Sequence, residues 1–514
     1  MPQVSREDPI ATPCALSHAV SSAATQAARS ASEITSLSAC ELSEAIHARR
    51  ISCREVMHAY LDQIARINVQ VNALVSLVDE ERLLGEADER DRQLGAGQSM
   101  GWMHGFPHAI KDLLDTAGIR TTRGSPLFRD VVPTSDAIVV ERIRAAGAIL
   151  IGKTNVPEFG LGSHTYNPVF GTTFNAYDQS RTAGGSSGGA AVALALHLVP
   201  VADGSDMMGS LRNPAAFNHV LGLRPSLGRV PSGPAPEVFF KQLSTEGPMG
   251  RTVGDVALLL SVIAGFDSRA PLSRDQDPAR FTATLERSVT GTRVGWLGNL
   301  GGRLAMEAGV LDVCEGALAR LSDCGCIIEE VLPEFSFDRL WDCWVTLRHW
   351  YVAGTHAELY AQPEKRALFK PEAAWEIEEG LKLRGIEVSR AAADRSQWYA
   401  VLRTLFERFD FLAIPSAQVF PFEAALHWPK VIAGRTMDTY HRWMEVVIGA
   451  TLAGLPAMSV PAGFGAAGLP MGIQIIGPPR GDWEVLQLAF ALEKAVGGFV
   501  RPPALIKPGS SVLA

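Results

Sequence analysis

Residues 183–214 read AGGSSGGAAVALALHLVPVADGSDMMGSLRNP. This stretch contains two glycine-rich turns, one around Ser186 and the other around Ser210. Between them, residues 190–198 are rich in Ala and Leu and predict a helix, and the apolar residues 199–202 predict a buried strand. A helix followed by a strand folds the second turn back towards the first. Glycine has no Cβ, so backbone N–H groups of such turns come close to a reacting group. We therefore predict a pocket in which backbone donors surround two hydroxyl groups.

A serine hydroxyl is a weak nucleophile at neutral pH until a neighbouring base accepts its proton. Lys111 is the candidate base, because it ends the apolar run in GFPHAIKD at residues 105–112. A lysine acts as a base only when it is uncharged, and half-neutrality at pH 7 requires that its charge be destabilised by about 4 to 5 kcal/mol. Burial in an apolar strand supplies that destabilisation. The carboxylate of Asp112 opposes it if the side chain lies close to the amine.

In these motifs and in their spacing the chain resembles the amidase signature family of serine hydrolases. The separations from Lys111 to Ser186 and from Ser186 to Ser210 are those that the family shows. The motifs that carry the resemblance span most of the chain. Besides GFPHAIKD and GGSSGG they are GKTNVPEF at 152–159, DGSDMMGSLRNP at 203–214, GLPAMSVPAGF at 454–464 and GLPMGIQIIG at 468–477.

The resemblance implies a role for each of three side chains. Ser210 is the implied nucleophile, and Lys111 is the implied general base. Ser186 is the implied bridging serine, which relays a proton because one hydroxyl can donate and accept at once. The family has a cis peptide bond before this serine, which is Gly185–Ser186 here. Ser187 competes for the bridging role, but it lies one position too near Ser210 for the family's spacing.

The family stabilises the oxyanion of its reaction with backbone N–H groups. The resemblance places these groups at Met207, Met208, Gly209 and Ser210. Position 208 departs from the family, in which glycine is usual here. A positive φ at Met208 would strain its backbone, whereas with an ordinary φ the thioether only narrows the acyl pocket. We favour the second alternative, in which the activity remains and the specificity changes. Three further residues match motif positions that brace this loop by hydrogen bonds: Ser205, Asp206 and Arg212.

The predicted fold is α/β, a three-layer sandwich around a large mixed, mostly parallel sheet. Helical and strand patterns alternate along the chain, which is typical of a parallel sheet covered on both faces, and the resemblance implies the same fold. Residues 1–34 are rich in Ala and Ser and predict a loose extension. Residues 35–505 are then predicted to form one domain. Within it, residues 335–435 predict a helical insertion, although FDFLAIPS at 409–416 reads as a strand of the sheet.

Tryptophans accumulate in and just after this insertion. They predict either ordinary core packing or the walls of an apolar substrate pocket. The residues concerned are Trp341, Trp344, Trp350, Trp375, Trp398, Trp428 and Trp443.

Capping signals predict where several helices begin. Ser38 with Glu41 and Ser52 with Glu55 each form a capping-box pattern at the start of an N-terminal helix. Ser135 is predicted to cap a later helix.

The composition excludes several classes of protein. The chain has 514 residues, of which 47% are hydrophobic and 20% charged, as is typical of a globular protein with a sizeable core. The formal charge of −8 is spread thinly and there is no basic block, so neither nucleic acid nor an anionic membrane is an expected partner. No apolar run reaches the roughly eighteen residues of a membrane-spanning helix. Seven cysteines at irregular positions predict reduced thiols in a cytoplasmic protein.

Three alternative motifs carry less weight. Residues 147–154, GAILIGKT, match the P-loop pattern, but their middle is an apolar strand rather than a phosphate-binding loop. Residues 184–188 fit the G-x-S-x-G nucleophile elbow, but the polar YDQSRT at 177–182 supplies no strand before it. His219 is a conventional candidate base for the nucleophile.

No metal and no organic cofactor is expected. His104 and His108 are separated by Gly-Phe-Pro, so a helix face does not align them for zinc. Cys324 and Cys326 form a C-x-C pattern without a second pair or a nearby histidine.

We predict an amidase that hydrolyses a small, apolar or aryl carboxylic amide to acid and amine through a Ser210 acyl-enzyme. Three alternatives stay open. They are the glutaminase subunit of an aminoacyl-tRNA amidotransferase, a carbamate or ester hydrolase with the same machinery, and a non-catalytic binding protein altered at Met208. The Trp-rich insertion favours apolar substrates over glutamine. The expected partner is a small-molecule amide, and assembly as a homodimer is compatible with the sequence.

Overall fold

Helices and strands alternate along the chain, as the sequence predicts. The computed structural model describes residues 30–240, 242–499 and 501–506. The helices are α1 (Ala31–Ser36), α2 (Ala39–His47), α3 (Cys53–Val71), α4 (Glu80–Gly95), α5 (Ile138–Ala145), α6 (Gly188–Ala195), α7 (Arg212–Asn218), α8 (Val253–Ile263), α9 (Val310–Asp323), α10 (Phe337–Tyr360), α11 (Pro363–Arg366), α12 (Pro371–Lys382), α13 (Gly385–Leu405), α14 (Ile448–Ala453) and α15 (Asp482–Ala495). The strands are β1 (Leu74–Val75), β2 (Pro107–Lys111), β3 (Ile149–Thr154), β4 (Tyr166–Asn167), β5 (Gly171–Thr172), β6 (Ala202–Asp206), β7 (Leu221–Arg224), β8 (Thr245–Gly250), β9 (Arg293–Trp296), β10 (Ile327–Glu330), β11 (Phe411–Pro415), β12 (Val431–Ile432), β13 (Arg435–Thr436), β14 (Ala457–Phe464) and β15 (Pro470–Ile476).

A sheet of eight strands forms the centre of the fold, in the order β10-β9-β11-β15-β14-β7-β8-β6. Helices α7, α8, α9 and α15 pack against it, which confirms the predicted α/β fold with a mixed sheet. Strands β8, β9, β10, β11 and β14 run in one direction, and β6, β7 and β15 run in the other. Most strands therefore share a direction, as predicted. Only β9–β10 and β9–β11 are parallel neighbours, however, and the other five neighbouring pairs are antiparallel.

A smaller sheet of three strands, in the order β1-β3-β2, adjoins the edge strand β6. The side chain of Asp203 on β6 joins the two sheets, because it accepts a hydrogen bond from the backbone N–H of Lys111 at 3.1 Å. This contact brings the end of β2 against the stretch that contains both glycine-rich turns.

Helix α6 and strand β6 occupy the segment between the two turns, with boundaries that differ from the prediction. The helix ends at Ala195 rather than near residue 198, and the strand begins at Ala202 and continues to Asp206. Pro200 has no N–H to donate to a ladder, so the apolar residues before Ala202 form a buried bend. The polar residues that follow are the ones that pair with β8.

Close packing of α6 requires glycine at its start. A Cβ on Gly189 would lie 2.3 Å from the backbone nitrogen of Asn155 and 2.5 Å from the carbonyl oxygen of Ala73. The helix therefore lies directly on the chain beside β1 and β3, and every one of its residues is buried.

Helices α10 to α13 lie within the region predicted as a helical insertion, and they end at Leu405. The chain then returns to the main sheet at β11, the strand that the sequence indicated there, and the bounds 335–435 of the insertion stay a prediction. Four of the seven tryptophans are buried in the core, and the other three are partly exposed. The buried ones are Trp341, Trp344, Trp398 and Trp443.

The N-terminal boundary also differs from the prediction. Of the predicted extension 1–34, residues 1–29 lie outside the described residues, and helix α1 already begins at Ala31. The capping boxes of Ser38 with Glu41 and of Ser52 with Glu55 are both present. The predicted cap at Ser135 is wrong, because α5 begins later and Ala137 occupies its N-cap position.

In the described part of the chain, no helix has the length and apolar character needed to cross a membrane. The cysteines are mostly reduced, as predicted, since Cys53, Cys314, Cys324, Cys326 and Cys343 are free.

Candidate functional site

The amine of Lys111 lies between the two glycine-rich turns and is fully buried. It lies within hydrogen-bonding distance of three serine hydroxyls: Ser186 Oγ at 2.9 Å, Ser187 Oγ at 2.7 Å and Ser205 Oγ at 3.0 Å. A fourth contact, to the carbonyl oxygen of Ser205, is 3.3 Å long. All of these partners are uncharged, so none of them holds the proton on the amine as a carboxylate would.

Burial lowers the pKa of Lys111 to about 7, although the charges of Asp203, Asp206 and Glu246 act in the opposite direction. The amine is therefore substantially uncharged near neutral pH, which is the state that a base requires. Asp112 does not oppose this shift. Its carboxylate accepts hydrogen bonds from the N–H and hydroxyl of Thr122, away from the amine.

Ser186 follows the Gly185–Ser186 peptide bond, which is cis, as the resemblance implies. Its hydroxyl lies at the wall of a cavity that Ser210 also lines. Ser187 contacts Lys111 as well, but it is fully buried and does not line the cavity. A Cβ on Gly204 would lie 2.7 Å from Ser187 Oγ, so this hydroxyl is enclosed by β6.

Ser210 lies in the turn between β6 and α7, and Asp206 holds this turn in place. The Asp206 carboxylate accepts hydrogen bonds from Gly209 N at 2.9 Å and Leu211 N at 3.2 Å. It also accepts two hydrogen bonds from the guanidinium of Arg212, both 2.9 Å long. Burial alone would raise the pKa of Asp206, but Arg212 and then Arg224 overcome this effect and hold the pKa well below its usual range. Asp206 and Arg212 therefore brace the loop, as the sequence predicts.

The backbone donors around Ser210 differ from the expectation in one respect. The N–H of Gly209 already donates to Asp206, so it is not free for a substrate oxygen. Within the described residues, the N–H groups of Met207, Met208 and Ser210 donate to no acceptor. Gly209 contributes its conformation instead, with a φ of +79° that lets the turn bend sharply.

Met208 adopts an ordinary negative φ, so its backbone is not strained. Its side chain is buried and forms part of the cavity wall. The favoured alternative, in which Met208 has an ordinary φ, is therefore confirmed as far as the backbone conformation is concerned.

The cavity lies over the two serines. No tryptophan is among the residues that line it, so the tryptophans do not form its walls as one alternative predicted, although Arg348 and Met444 of the Trp-rich region do line it. The wall is instead largely apolar and includes one buried cation. Its residues beyond the glycine-rich turns include Leu113, Phe159, Leu161, Met444 and Arg348.

The hydroxyls of Ser186 and Ser210 open into this one cavity, but no direct hydrogen bond joins them in the structure. Catalytic hydrogen bonds are often long before a substrate binds and shorten in the complex.

The other candidate residues lie away from the cavity. His219 packs its ring against Phe464, at 4.6 Å between ring centroids, and burial lowers its pKa to about 4. His104 contacts the carbonyl oxygen of Arg90, and His108 contacts Asp203, so the two histidines have separate partners.

Lys153 has a structural role rather than a phosphate-binding one. It lies in β3, which is a strand of the small sheet and not a loop. Its buried amine donates hydrogen bonds to Leu114 O at 2.6 Å, Thr116 Oγ1 at 2.8 Å and Thr121 Oγ1 at 3.1 Å.

Sequence reasoning missed the buried cluster around Arg348. Ligand atoms of His349, Glu376 and His441 lie within 4.8 Å of one another, a spacing that a metal ion accepts. The oxygens of Glu376 are already bound by the guanidinium of Arg348 and the hydroxyl of Tyr440. A second cation beside Arg348 is unfavourable, so this geometry fits an ion pair better than a metal. Arg348 lies in α10 in a stretch, residues 343–357, that has no other acidic or basic residue apart from histidines, and no motif distinguished it.

Comparisons with known proteins agree with this geometry. The family model described as Amidase matches residues 55–486. An acylamidase from Rhodococcus erythropolis is 34% identical over 482 residues, covering 93% of this chain and 98% of that protein. A glutamyl-tRNA(Gln) amidotransferase subunit from Alkaliphilus metalliredigens is 32% identical and covers 88% and 95%. A solved bacterial aryl acylamidase of the amidase signature family superposes with a TM-score of 0.84 at 30% identity, covering 90% of this chain and 97% of that one. With a family model matched over most of its length and relatives aligned nearly end to end, this chain belongs to the amidase signature family of amide-hydrolysing enzymes.

Proposed function

We propose that this enzyme hydrolyses a small, apolar or aryl carboxylic amide to acid and amine through an acyl-enzyme on Ser210. The observation that carries the proposal is the fully buried Lys111 amine, which contacts Ser186 at 2.9 Å and has a pKa lowered to about 7. The assigned roles are Ser210 as nucleophile, Ser186 as bridging serine and Lys111 as general base. No cofactor takes part in this mechanism.

In the first half-reaction, the Ser210 hydroxyl passes its proton to Ser186 as Ser186 passes its own proton to Lys111 Nζ. Ser210 Oγ forms a bond to the amide carbon, and the carbonyl oxygen becomes an oxyanion. The free N–H groups of Met207, Met208 and Ser210 are the proposed donors to that oxyanion, each contributing about 3 to 4 kcal/mol of barrier lowering. Collapse breaks the C–N bond, and the proton on Lys111 returns through Ser186 to the departing nitrogen.

In the second half-reaction, water attacks the acyl carbon and gives one proton to Lys111 through Ser186. The bond from carbon to Ser210 Oγ then breaks, and Ser210 regains its proton by the same route. One proton thus passes from Ser210 to the departing amine and another passes from water to Ser210, and the enzyme ends in its starting state.

The apolar wall of the cavity supports an apolar or aryl substrate, as do the two similar acylamidases. The glutaminase alternative draws on the similar amidotransferase subunits, and it requires a partner protein. A carbamate or ester hydrolase would use the same residues. The unstrained backbone of Met208 removes the reason for a non-catalytic protein. A single domain over 35–505, a cytoplasmic location, a homodimer and the absence of nucleic-acid or membrane partners stay predictions.

The acyl-enzyme is tested by mass spectrometry of the purified chain after brief exposure to a mixed panel of amides and activated esters. We expect one acyl group per chain, on the peptide that contains Ser210, without any added partner. Acylation of a different serine would contradict the assigned nucleophile. Turnover of glutamine only, and only with a partner present, would favour the amidotransferase alternative.

Shortening Met208 is expected to widen the cavity for larger acyl groups. In Met208→Ala, the ratio of kcat/KM for hexanoyl 4-nitroanilide to that for acetyl 4-nitroanilide should rise about tenfold, since filling or emptying a few methylene positions changes discrimination by this order. The backbone N–H of residue 208 is retained in this variant, so kcat/KM for the acetyl substrate reports whether the catalytic residues and oxyanion donors are still intact.

The matched control is Met100→Ala, which shortens a methionine that is 40% exposed and does not line the cavity. It should leave the ratio unchanged. The same ratio in wild type and in Met208→Ala would show that this side chain does not limit the acyl pocket.

A further inference from the structure

Arg348 is a buried cation in the wall of the catalytic cavity. It lies on α10 with only 2% of its surface exposed, and it reaches the cavity beside Met207. The carboxylate of Glu376 on α12 accepts from Arg348 Nε at 2.9 Å and from Nη2 at 2.8 Å. Nη2 also donates to the hydroxyl of Tyr440 at 2.8 Å. Partners on α12 and in the segment after β13 therefore fix the guanidinium of Arg348 in one orientation.

One edge of this guanidinium has no comparable partner. Among the described residues, the only acceptor near Nη1 is the thioether sulfur of Met207, at 3.8 Å. Sulfur is a weak acceptor, so Nη1 keeps hydrogen-bonding capacity on the side that faces the cavity. A buried donor without an acceptor costs about 1 to 3 kcal/mol, which a suitable ligand atom recovers.

The charge of Arg348 is balanced before any ligand binds. Glu376 is fully buried and neutralises Arg348. Burial lowers the pKa of the adjacent His349 and His441, so both rings are uncharged near neutral pH. Lys370 packs nearby with its amine bound to the carbonyl oxygen of Leu161 at 2.6 Å, and Glu158 and Glu372 lie near it.

A carboxylate placed on Nη1 would add an uncompensated buried charge to the pair, whereas an aliphatic group would leave the donor unpaired. A neutral oxygen or nitrogen acceptor satisfies the donor without either cost. The arrangement therefore favours a neutral acceptor group over a carboxylate or an aliphatic group of the same shape.

We propose that Arg348 is a specificity-determining residue whose Nη1 donates to an uncharged acceptor of the substrate, such as a ketone, ether, ester or ring-nitrogen atom away from the scissile bond. Glu376 is the positioning residue that makes this donor selective for neutral groups. This inference deepens the proposed amidase function and rests on it. The preferred substrates are then amides that carry a neutral polar end, and glutamine-like carboxylates are rejected.

The test uses two isosteric substrate sets that differ only in a terminal isopropyl, acetyl or carboxyl group. The first set carries that group on the acyl side: the 4-nitroanilides of 4-methylpentanoic, 4-oxopentanoic and succinic acid. The second carries it on the amine side: 4′-isopropyl-, 4′-acetyl- and 4′-carboxyacetanilide. Each ratio of kcat/KM is divided by the ratio of the alkaline hydrolysis rates, which removes intrinsic reactivity.

Wild type should prefer the acetyl end over the isopropyl end by about tenfold or more in one of the two sets, which also identifies the side that Arg348 contacts. In the double variant Arg348→Met with Glu376→Met, which leaves no unpaired buried charge, this preference should disappear. In Glu376→Gln, which exposes the charge of Arg348, the carboxyl end should gain about tenfold over the acetyl end.

Three results would overturn the inference. The first is that wild type prefers the isopropyl end in both sets; this result needs no variant, so the test remains decisive even if a variant fails to fold. The second is that a folded, active double variant keeps the acetyl preference. The third is that a folded Glu376→Gln variant gains no activity on the carboxyl-ended substrate. In each of these cases the enzyme still hydrolyses amides, and the proposed function stands. If wild type turns over no member of either set and Ser210 is never acylated, the proposed function and this inference fall together.

Discussion

Ser210→Ala is expected to lower kcat/KM for a 4-nitroanilide by about 10⁴-fold or more, because no other hydroxyl of the cavity shares a turn with the proposed oxyanion donors. Ser186 and Ser205 also line the cavity, but both hydroxyls are bonded to Lys111 Nζ. The fold should survive, since Asp206 and Arg212 hold the turn without using the Ser210 side chain. The measurements are initial rates and the thermal unfolding midpoint of the variant.

The two neighbouring serines provide the matched control for this site. Ser186→Ala should lower kcat/KM by about 10³-fold, because it removes the proton relay, whereas Ser187→Ala should cost about tenfold. Both hydroxyls contact Lys111, at 2.9 and 2.7 Å, so loss of a lysine contact is common to the two variants. Of these two serines, Ser186 lines the cavity and Ser187 does not. An equal loss in both variants would contradict the assignment of Ser186, and undiminished turnover in Ser210→Ala would remove the proposed nucleophile.

The site was predictable from sequence where short-range chemistry dictates it. Glycine-rich turns around Ser186 and Ser210 and an apolar strand ending in Lys111 are local patterns, and the structure brings them together through β6. The brace of Asp206 on Arg212 falls within one motif. Capping boxes such as Ser52 with Glu55 are equally local, and they form as the sequence predicts.

The sequence was a poor guide where long-range contacts choose between local options. The start of β6 depends on pairing with β8, which follows α7 and β7 in the chain, and not on where the apolar run begins. The sequence predicted that the N–H of Gly209 is available to a substrate oxygen, but in the structure this N–H donates to the carboxylate of Asp206. Antiparallel neighbours in the main sheet likewise follow from the order of strands, which the alternation of helices and strands does not specify.

Arg348 illustrates the same limit at the cavity wall. Its partner Glu376 lies on another helix, and Met207 lies far away in the sequence, in the turn after β6. Because helical periodicity places charged residues on surfaces by default, a buried ion pair between two amphipathic helices leaves no signature in the sequence. The Trp-rich character of the region was visible, yet no tryptophan lines the cavity, whereas Arg348 does.

Lys111→Met is expected to lower kcat/KM by about 10³-fold or more and at the same time to remove a pH-dependent part of the stability. In wild type, kcat/KM should rise with pH up to the lysine pKa of about 7 and then level off, because only the uncharged amine accepts a proton. The folded-state pKa is lower than the unfolded value near 10.5, so between these two values the unfolded chain binds more protons than the folded one. Wild-type stability should therefore gain a contribution of about 4 to 5 kcal/mol as the pH rises from 7 to 10.5.

The variant isolates this contribution, because other groups titrate equally in both proteins. The difference in free energy of unfolding between Lys111→Met and wild type should be most favourable to the variant near pH 7 and shrink towards pH 10, as denaturant titrations at several pH values would show.

Lys153→Met is the matched control: burial lowers the pKa of Lys153 to about 8, but its amine bonds to Leu114, Thr116 and Thr121 and does not reach the serines. A folded Lys153→Met should keep the wild-type pH profile of kcat/KM. If the profile lost its rise near pH 7 in this control, or kept it in Lys111→Met, the titrating base would be a group other than Lys111.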